Sequence, residues 1–369
     1  MRINKMKNIY DHLSNMLEEK KHVVLATIIE TKGSTPQVPG ASAIFSSEGL
    51  LGGTLGGGLL EADAQKKALH ALKKTSSLLY EFSLSADISM EEGAICGGKV
   101  KIIIDASLEE HENTFRSLHQ SFSHRQRGFL ATLIRGFPEG KVSFSRYWIE
   151  RKENYLIDLG KPLSLFQKEI TQTFSDRKPV LLKIEKRRGV VKEKESFLFL
   201  EPVFPLPQLV IAGAGHIGRA LAHLGNLLNF EVNVIDDRPE FANKENIPDA
   251  DNIIVDEIGK AIKHFPLSSD TYLVIVTRGH RHDGDALRES IASEAAYIGM
   301  IGSARKIKLM RQKFLEEGWA TSHQFDRVYA PIGVDIGSKT VEEIAVSIAA
   351  QLVLVRSQIQ DKQAKMKEK

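Results

Sequence analysis

The residues with the most chemical reach fall in three places. The first is Gly213-Ala-Gly215-His216-Ile-Gly218, which follows the apolar run QLVIAG and precedes RALAHLGNLL. This is GxGxxG between a strand and a helix. Gly213 permits the tight turn, Gly215 lets backbone approach a phosphate, and Gly218 lets the helix pack on the strand. Free amides at the helix start favour an anion. Asp236 ends the next apolar run, EVNVID, 18 residues after Gly218, where an acid usually holds a ribose hydroxyl. Arg238 has two readings: it meets a phosphate on that ribose, or it pairs with Asp236 and Asp237. His216 also has two, helix cap or ligand contact.

The second place is Thr277-Arg278-Gly279-His280-Arg281-His282-Asp283, at the end of the run TYLVIVT. Ligands of open parallel sheets sit at the carboxyl ends of strands, near the switch in strand order. This strand is expected beside the first, so that Arg278, His280 and Asp283 face the same crevice as the glycine loop. Arg278 offers a bidentate grip on an anion. His280, His282 and Asp283 make a poor metal set, because neighbouring ligands on one irregular loop rarely suffice. The plainer reading is a polar loop with Asp283 or Asp285 capping the helix ALRESIASE. Two more segments, 299–306 and 331–338, lie at strand ends. In the first, Arg305 and Lys306 put positive charge in the first turn of a helix, against its dipole. An anionic ligand, a partner acid or open solvent would each relieve that.

The third place is nearer the start. Thr31-Lys-Gly33-Ser34-Thr35-Pro36-Gln37-Val38-Pro39-Gly40-Ala41 leads, after one strand, to Gly52-Gly53-Thr54-Leu55-Gly56-Gly57-Gly58. Five of those last seven residues are glycine, and each costs roughly 0.5–1 kcal/mol of backbone entropy relative to alanine. Such a run implies positive φ or close backbone approach. It ends at a helix, so its amides can form an anion nest, with Glu61 in the first turn placed to reach back. No Gly-Lys-Ser/Thr follows, so it is not a phosphate-loop ATPase. Cys96, the single cysteine, stands in Gly93-Ala-Ile-Cys96-Gly97-Gly98. Its two readings are a small buried hydrophobe and a ligand or sulfur-handling thiol.

The elements that must position these residues divide the 369-residue chain in two. Residues 1–200 read as an α+β domain. Its parts are a first helix, the strand VVLATIIE, a helix from Leu59 to about Lys74, the strands LLYEFSL and KVKIIID, and a helix over 109–125. Five alternating segments follow, FLATLIRG, SFSRYWIE, NYLIDLG, PVLLKIE and SFLFLEPV, which suit antiparallel sheet. Residues 201–207 contain three prolines in the six positions 202–207 and read as a stiff linker. Residues 208–357 alternate strand and helix, which predicts a doubly wound parallel sheet of about six strands, RVYAPI being the last. Residues 358–369 read as a polar, frayed tail. The fold class is therefore α/β, with a C-terminal Rossmann-like sheet. Composition agrees: 42% hydrophobic and 26% charged residues exclude disorder as the main state, and a net charge of +3 gives no support to nucleic-acid binding. One cysteine excludes an intrachain disulfide and a Cys-rich zinc site. No apolar run reaches membrane-spanning length and the start lacks a signal-peptide core, so a cytoplasmic protein is expected.

In combination these motifs resemble the XdhC/CoxI family. GSTPQVPGASAIFSSEGLLGGTLGGGLLEAD (33–63) and ICGGKV (95–100) are similar to its N-terminal elements. VIAGAGHIGRALAHL, VIDDRPEFAN, VTRGHRHD, AAYIGMIGSARK and PIGVDIGSKTVEEIAVSIAAQ are similar to its Rossmann domain. Val334, Ala304 and Val341 depart from the usual Leu, Arg and Pro, and the lost Arg weakens phosphate binding by the 302–306 loop. The resemblance implies a non-catalytic accessory protein that binds the molybdenum cofactor (molybdopterin) and protects it while a cysteine desulfurase helps sulfurate it. It then delivers the cofactor to xanthine dehydrogenase or a related molybdoenzyme. Together the three places supply the candidate cofactor-binding residues, namely the glycines at 52, 53, 56, 57, 58, 213, 215 and 218 with Glu61, Cys96, His216, Asp236, Arg278, His280 and Asp283, and Cys96 is the candidate molybdenum contact. The chain lacks the thiolates that iron–sulfur clusters need and is far too short for a molybdopterin hydroxylase. Two rival readings are an NAD(P)-dependent oxidoreductase and a Rossmann module that senses a nucleotide. A homodimer is expected, as the commonest way to cover open faces.

Overall fold

A computed structural model describes residues 9–84, 98–136, 142–152, 155–156, 166–184 and 196–365. The chain divides into two compact units, Met1–Pro205 and Leu206–Lys369.

The first unit opens with α1 (Ile9–Glu18), β1 (Val24–Lys32), β2 (Ser42–Ser46), β3 (Gly49–Gly53), α2 (Gly58–Lys74), β4 (Leu78–Ser83) and β5 (Lys99–Asp105). Its strands form one sheet in the order β3-β2-β1-β5-β4, with every pairing antiparallel. Strand β1 is buried on both faces. Val24, Ala26 and Ile28 point to one side with Leu60, Ala64, Ala68 and Ala71 of α2. The small alanines, spaced three and four apart, let α2 lie close to the sheet. On the other side Leu25 packs with Leu13 and Leu17 of α1.

The rest of the unit is α3 (Glu112–Ser123), β6 (Gly128–Gly136), β7 (Val142–Lys152), β8 (Tyr155–Leu156), α4 (Gln167–Asp176), β9 (Val180–Ile184) and β10 (Ser196–Val203). The five strands form a second antiparallel sheet, ordered β8-β7-β6-β10-β9. Ile29 and Ile103 of the first sheet meet Ile134, Phe144, Phe197 and Phe199 of the second. The middle region thus completes the first domain. A buried ion pair, Arg146 Nε to Asp105 Oδ2 at 2.9 Å, ties β7 to β5. The linker begins later than its prolines suggest. Glu201, Pro202 and Val203 pair with Leu130, Phe129 and Gly128. Strand β9 ends its pairing at Leu200, so Pro202 lies where one side of the strand is open and a missing N–H is tolerated.

The second unit runs β11 (Gln208–Ala212), α5 (His216–Leu227), β12 (Glu231–Asp236), β13 (Asn252–Val255), α6 (Ile258–His264), β14 (Thr271–Ile275), α7 (His280–Ser290), β15 (Tyr297–Met300), α8 (Ala304–Glu316), α9 (Ser322–Asp326) and α10 (Val341–Lys365). The strands lie in the order β13-β12-β11-β14-β15, all parallel. This is the doubly wound arrangement. Helices α5 and α10 cover one face through Leu221, Ala222, Ile348 and Leu352. Helices α6, α7 and α8 cover the other through Ile262, Leu287 and Phe314.

The sheet has five strands rather than about six. RVYAPI contributes a single parallel bridge, Gly299 to Tyr329, and Pro331 removes the donor that a longer ladder needs. Helix α10 opens with a reciprocal cap. The Glu343 amide donates to Thr340 Oγ1, and the Thr340 amide to Glu343 Oε2. The helix continues to Lys365, through most of the expected frayed tail. That stretch, SQIQDKQAK, has neither glycine nor proline and is made largely of helix-tolerant residues. No helix among the described residues is long and apolar enough to cross a membrane.

Candidate functional site

The sheet order reverses between β11 and β14, and the glycine loop lies above that point. Gly213 has φ +121°, and a Cβ there would stand 2.4 Å from the Val276 carbonyl oxygen. Its amide donates to the Ile235 oxygen at 2.8 Å. At Gly218 a Cβ would meet the Gly213 oxygen at 1.9 Å. Both positions are therefore fixed by close packing. Gly215 differs: a Cβ there would have nothing within 4 Å, and its backbone is extended. Its lack of a side chain leaves open ground at the start of α5, as phosphate approach requires. Gly215 is itself the N-cap residue, so His216 does not cap the helix. His216 is exposed and lines a cavity of about 530 Å³ between α5 and α10, with His223, Asp249 and Glu342.

Asp236 does not stand free for a ribose. It is 1% exposed and both of its oxygens are engaged. Oδ2 accepts from the Ala214 amide at 2.7 Å and from an Arg238 Nη at 3.0 Å. Oδ1 accepts from the Arg238 amide and Nε at 3.1 and 2.9 Å. Burial alone would raise its pKa, but the Arg238 side chain and the two amides outweigh that and hold it below the ordinary aspartate value. Asp236 thus clasps the glycine loop to β12. Of the two readings of Arg238 the pairing one holds, and its guanidinium also lies 4.1 Å over the Phe241 ring. The more accessible acid is its neighbour Asp237, whose Oδ2 accepts from Arg278 at 2.8 Å. Arg278 is exposed and bridges β12 to the end of β14.

Helix α7 begins at His280, with Gly279 at its N-cap. It starts earlier than ALRESIASE suggests, and Asp283 lies inside its first turn. Asp283 is 1% exposed. Its Oδ1 accepts from the Thr277 hydroxyl at 2.6 Å and the Thr277 amide at 3.2 Å. Its Oδ2 pairs with Lys306 Nζ, which also donates to the Ile301 oxygen at 3.2 Å. A partner acid, rather than solvent, thus relieves Lys306. Among the described residues, Arg305 has no such acid. His280 is exposed at the rim of a second cavity, about 550 Å³, between α7 and α8. No group of three metal-binding side chains gathers among the described residues.

In the first unit the glycine run does need left-handed backbone. Gly53, Gly56, Gly57 and Gly58 have φ of +76°, +108°, +74° and +59°, while Gly52 pairs with Ile44 in the sheet. At Gly53 a Cβ would meet the Ser42 oxygen at 2.1 Å, and at Gly56 it would meet Pro36. Gly57 and Gly58 face open space. Glu61 reaches back as expected: its Oε2 accepts from the Leu55 amide at 2.9 Å and the Thr54 hydroxyl at 2.8 Å. Pro36 against Gly56 brings the 33–41 segment to the glycine run. Gly98 has room only for hydrogen beside the Ser34 and Lys32 oxygens, so the element after Cys96 joins the same end of the sheet. Cys96 itself lies outside the described residues.

Residues 16–83 match the family described as XdhC and CoxI, and residues 209–352 match the XdhC Rossmann domain. The chain belongs to the XdhC/CoxI family. The two matches take in both glycine loops, the Asp236–Arg238 clasp and the Asp283–Lys306 pair. A family relative from Bacillus subtilis, named as a probable subunit of xanthine dehydrogenase, is 25% identical over 96% of this chain and 99% of its own length. The uncharacterized protein YqeB of Escherichia coli is 22% identical over 95% of this chain, which spans 46% of YqeB. A crystal structure described as a xanthine dehydrogenase from Bacillus halodurans has the same fold, with a TM-score of 0.72, 23% identity and 95% and 96% of the two chains covered.

The sequence assigns no role to Thr277, and it offers Asp237 only as a partner of Arg238, not of Arg278. Thr277 is a hydroxyl next to a strand end and six residues before a buried acid. Asp237 doubles an acid already assigned. In each case the signal was adjacency, which does not say which of two neighbours turns inward.

Proposed function

We propose that this XdhC/CoxI protein is a non-catalytic accessory protein of xanthine dehydrogenase or a related molybdoenzyme. It holds the molybdenum cofactor while a cysteine desulfurase supplies the terminal sulfido ligand, and then passes the cofactor to the apo-enzyme. Support comes from family membership and from the name of the Bacillus subtilis relative. The observation that carries the reading is the open pair Gly57 and Gly58. They keep a costly left-handed backbone with no neighbour that demands it, which suits amides reserved for a phosphate. The pterin cargo bears a phosphate at one end and a soft dithiolene and metal at the other. Cys96 is proposed as the soft contact, since soft metals favour thiolates.

An NAD(P)-dependent oxidoreductase fits less well, because Asp236 spends both oxygens on the protein itself. Nucleotide sensing by the second unit is the second reading, favoured by the open ground at Gly215. The test of the leading reading is activation of the client enzyme by Gly58→Asn, as asparagine enters the left-handed region at least cost. A several-fold loss of activation with an unchanged melting temperature is expected. Full activation by the folded variant would remove the cradle from the account.

A further inference from the structure

The cavity between α7 and α8 is not explained by the glycine loop, by Asp236 or by the cargo cradle of the first unit. Its rim holds Arg281 of α7 and Arg305 and Lys313 of α8, all exposed. None of the three is paired with a carboxylate among the described residues. Only one acid, Asp285, lines the same space. Lys306, also on its wall, is already neutralised by Asp283. The floor is apolar: Met310, Phe314 and Trp319, with Leu309 on its edge. Leu309 is 60% exposed, an unusual position for a leucine ringed by cations. Trp319 is held edge-on to Phe314, with ring centroids 5.4 Å apart, and Lys313 Nζ and the Arg288 guanidinium each lie 5.2 Å from the centre of its ring.

Unpaired guanidinium groups select phosphate or carboxylate oxygens. An apolar floor with an indole and a thioether selects a flat, weakly polar body. A volume near 550 Å³ is that of a small-molecule site rather than a protein interface. We propose that this cavity binds a phosphorylated planar heterocycle. Arg281 and Arg305 hold the phosphate, and Leu309 and Met310 receive the ring beside Trp319, whose own ring carries Lys313. The site is separate from the open ground at Gly215. Two sources share this chemistry, a purine nucleotide and a phosphorylated pterin.

The test is calorimetric titration of the full chain with guanosine monophosphate, guanosine, inorganic phosphate and 6-hydroxymethylpterin phosphate. Both phosphorylated heterocycles, or one of them, should bind at least tenfold more tightly than guanosine or phosphate alone, and the tighter of the two names the source. Arg281→Ala/Arg305→Ala, both at exposed positions, should raise Kd at least tenfold without lowering the melting temperature. Gly215→Val should leave Kd unchanged. Three results would overturn the proposal: neither phosphorylated probe binds, guanosine binds as well as its phosphate, or affinity follows Gly215 instead of the arginines.

Discussion

Asp236 and Asp283 are the buried carboxylates on which the loops of the second unit hang. Each spends its oxygens on a neighbouring strand end and on one cation. Removing either leaves a buried or half-buried charge uncompensated, a class of change that costs about 3–5 kcal/mol. Asp236→Ala should therefore lower unfolding free energy by about 3 kcal/mol near neutral pH, measured in urea. Because its folded pKa is depressed, the stabilisation is present above the unfolded aspartate pKa of about 3.9. It is lost as pH falls toward the folded value, so wild type and variant should converge in acid. A gap that stays constant down to low pH would contradict this. The glycines of GxGxxG separate in the same way. Gly218→Ala must displace the Gly213 carbonyl and should destabilise strongly. Gly215→Ala should leave the melting temperature within a few degrees of wild type. The motif set Gly215, for phosphate approach, apart from Gly213 and Gly218, for turn and packing, and the space around the three divides in the same way: only Gly215 has room for a Cβ. That difference lies in the distance to backbone atoms contributed by β14 and by the loop itself.

At the scale of elements, the strand and helix order was legible because apolar runs and amphipathic stretches alternate so regularly after residue 208. The ends of the elements are less legible. Pro202 reads as linker until β9 is seen to stop short of it. SQIQDKQAK reads as tail until α10 carries through it. ALRESIASE hides a first turn whose polar residues resemble loop. The glycine run beside α2 was legible as left-handed backbone, and Glu61 is its internal brace. Glu61→Ala should loosen residues 54–58, raising hydrogen exchange at the Leu55 and Gly56 amides at least severalfold, with little change in α2. Unchanged exchange would mean that the loop holds itself. In the same unit Glu201 on β10 accepts from the Tyr10 hydroxyl of α1 at 2.6 Å. Burial pushes its carboxyl up to about 7, although Tyr10 and Arg146 pull the other way. With the folded pKa raised, this group destabilises as pH climbs from the unfolded value, about 4.3, through 7. Glu201→Gln should therefore gain stability relative to wild type at pH 8 compared with pH 4. A difference independent of pH would remove Glu201 from the titration.

The whole molecule pairs an antiparallel double-sheet unit with a parallel Rossmann unit, and each carries a glycine loop with open ground. Val346, Val353 and Leu354 stand exposed on α10, at helical spacing of seven and eight residues. A twofold partner is the commonest cover for such a stripe. Light scattering at micromolar concentration should therefore give the mass of a dimer, and Val353→Glu/Leu354→Glu should give a monomer. A monomeric wild type would leave the stripe without this explanation. Function was legible in the sequence only through the resemblance to the XdhC/CoxI family. No spacing of residues says what a glycine cradle carries, because amides bind any phosphate alike. The most direct measurement is the pterin content of the protein purified from a host that makes molybdopterin, read as fluorescence after oxidation. The account predicts close to one pterin per chain or per dimer in wild type and a marked loss in Gly58→Asn and Cys96→Ala, both still folded. Wild-type protein that carries no pterin, or variants that carry as much as wild type, would contradict it.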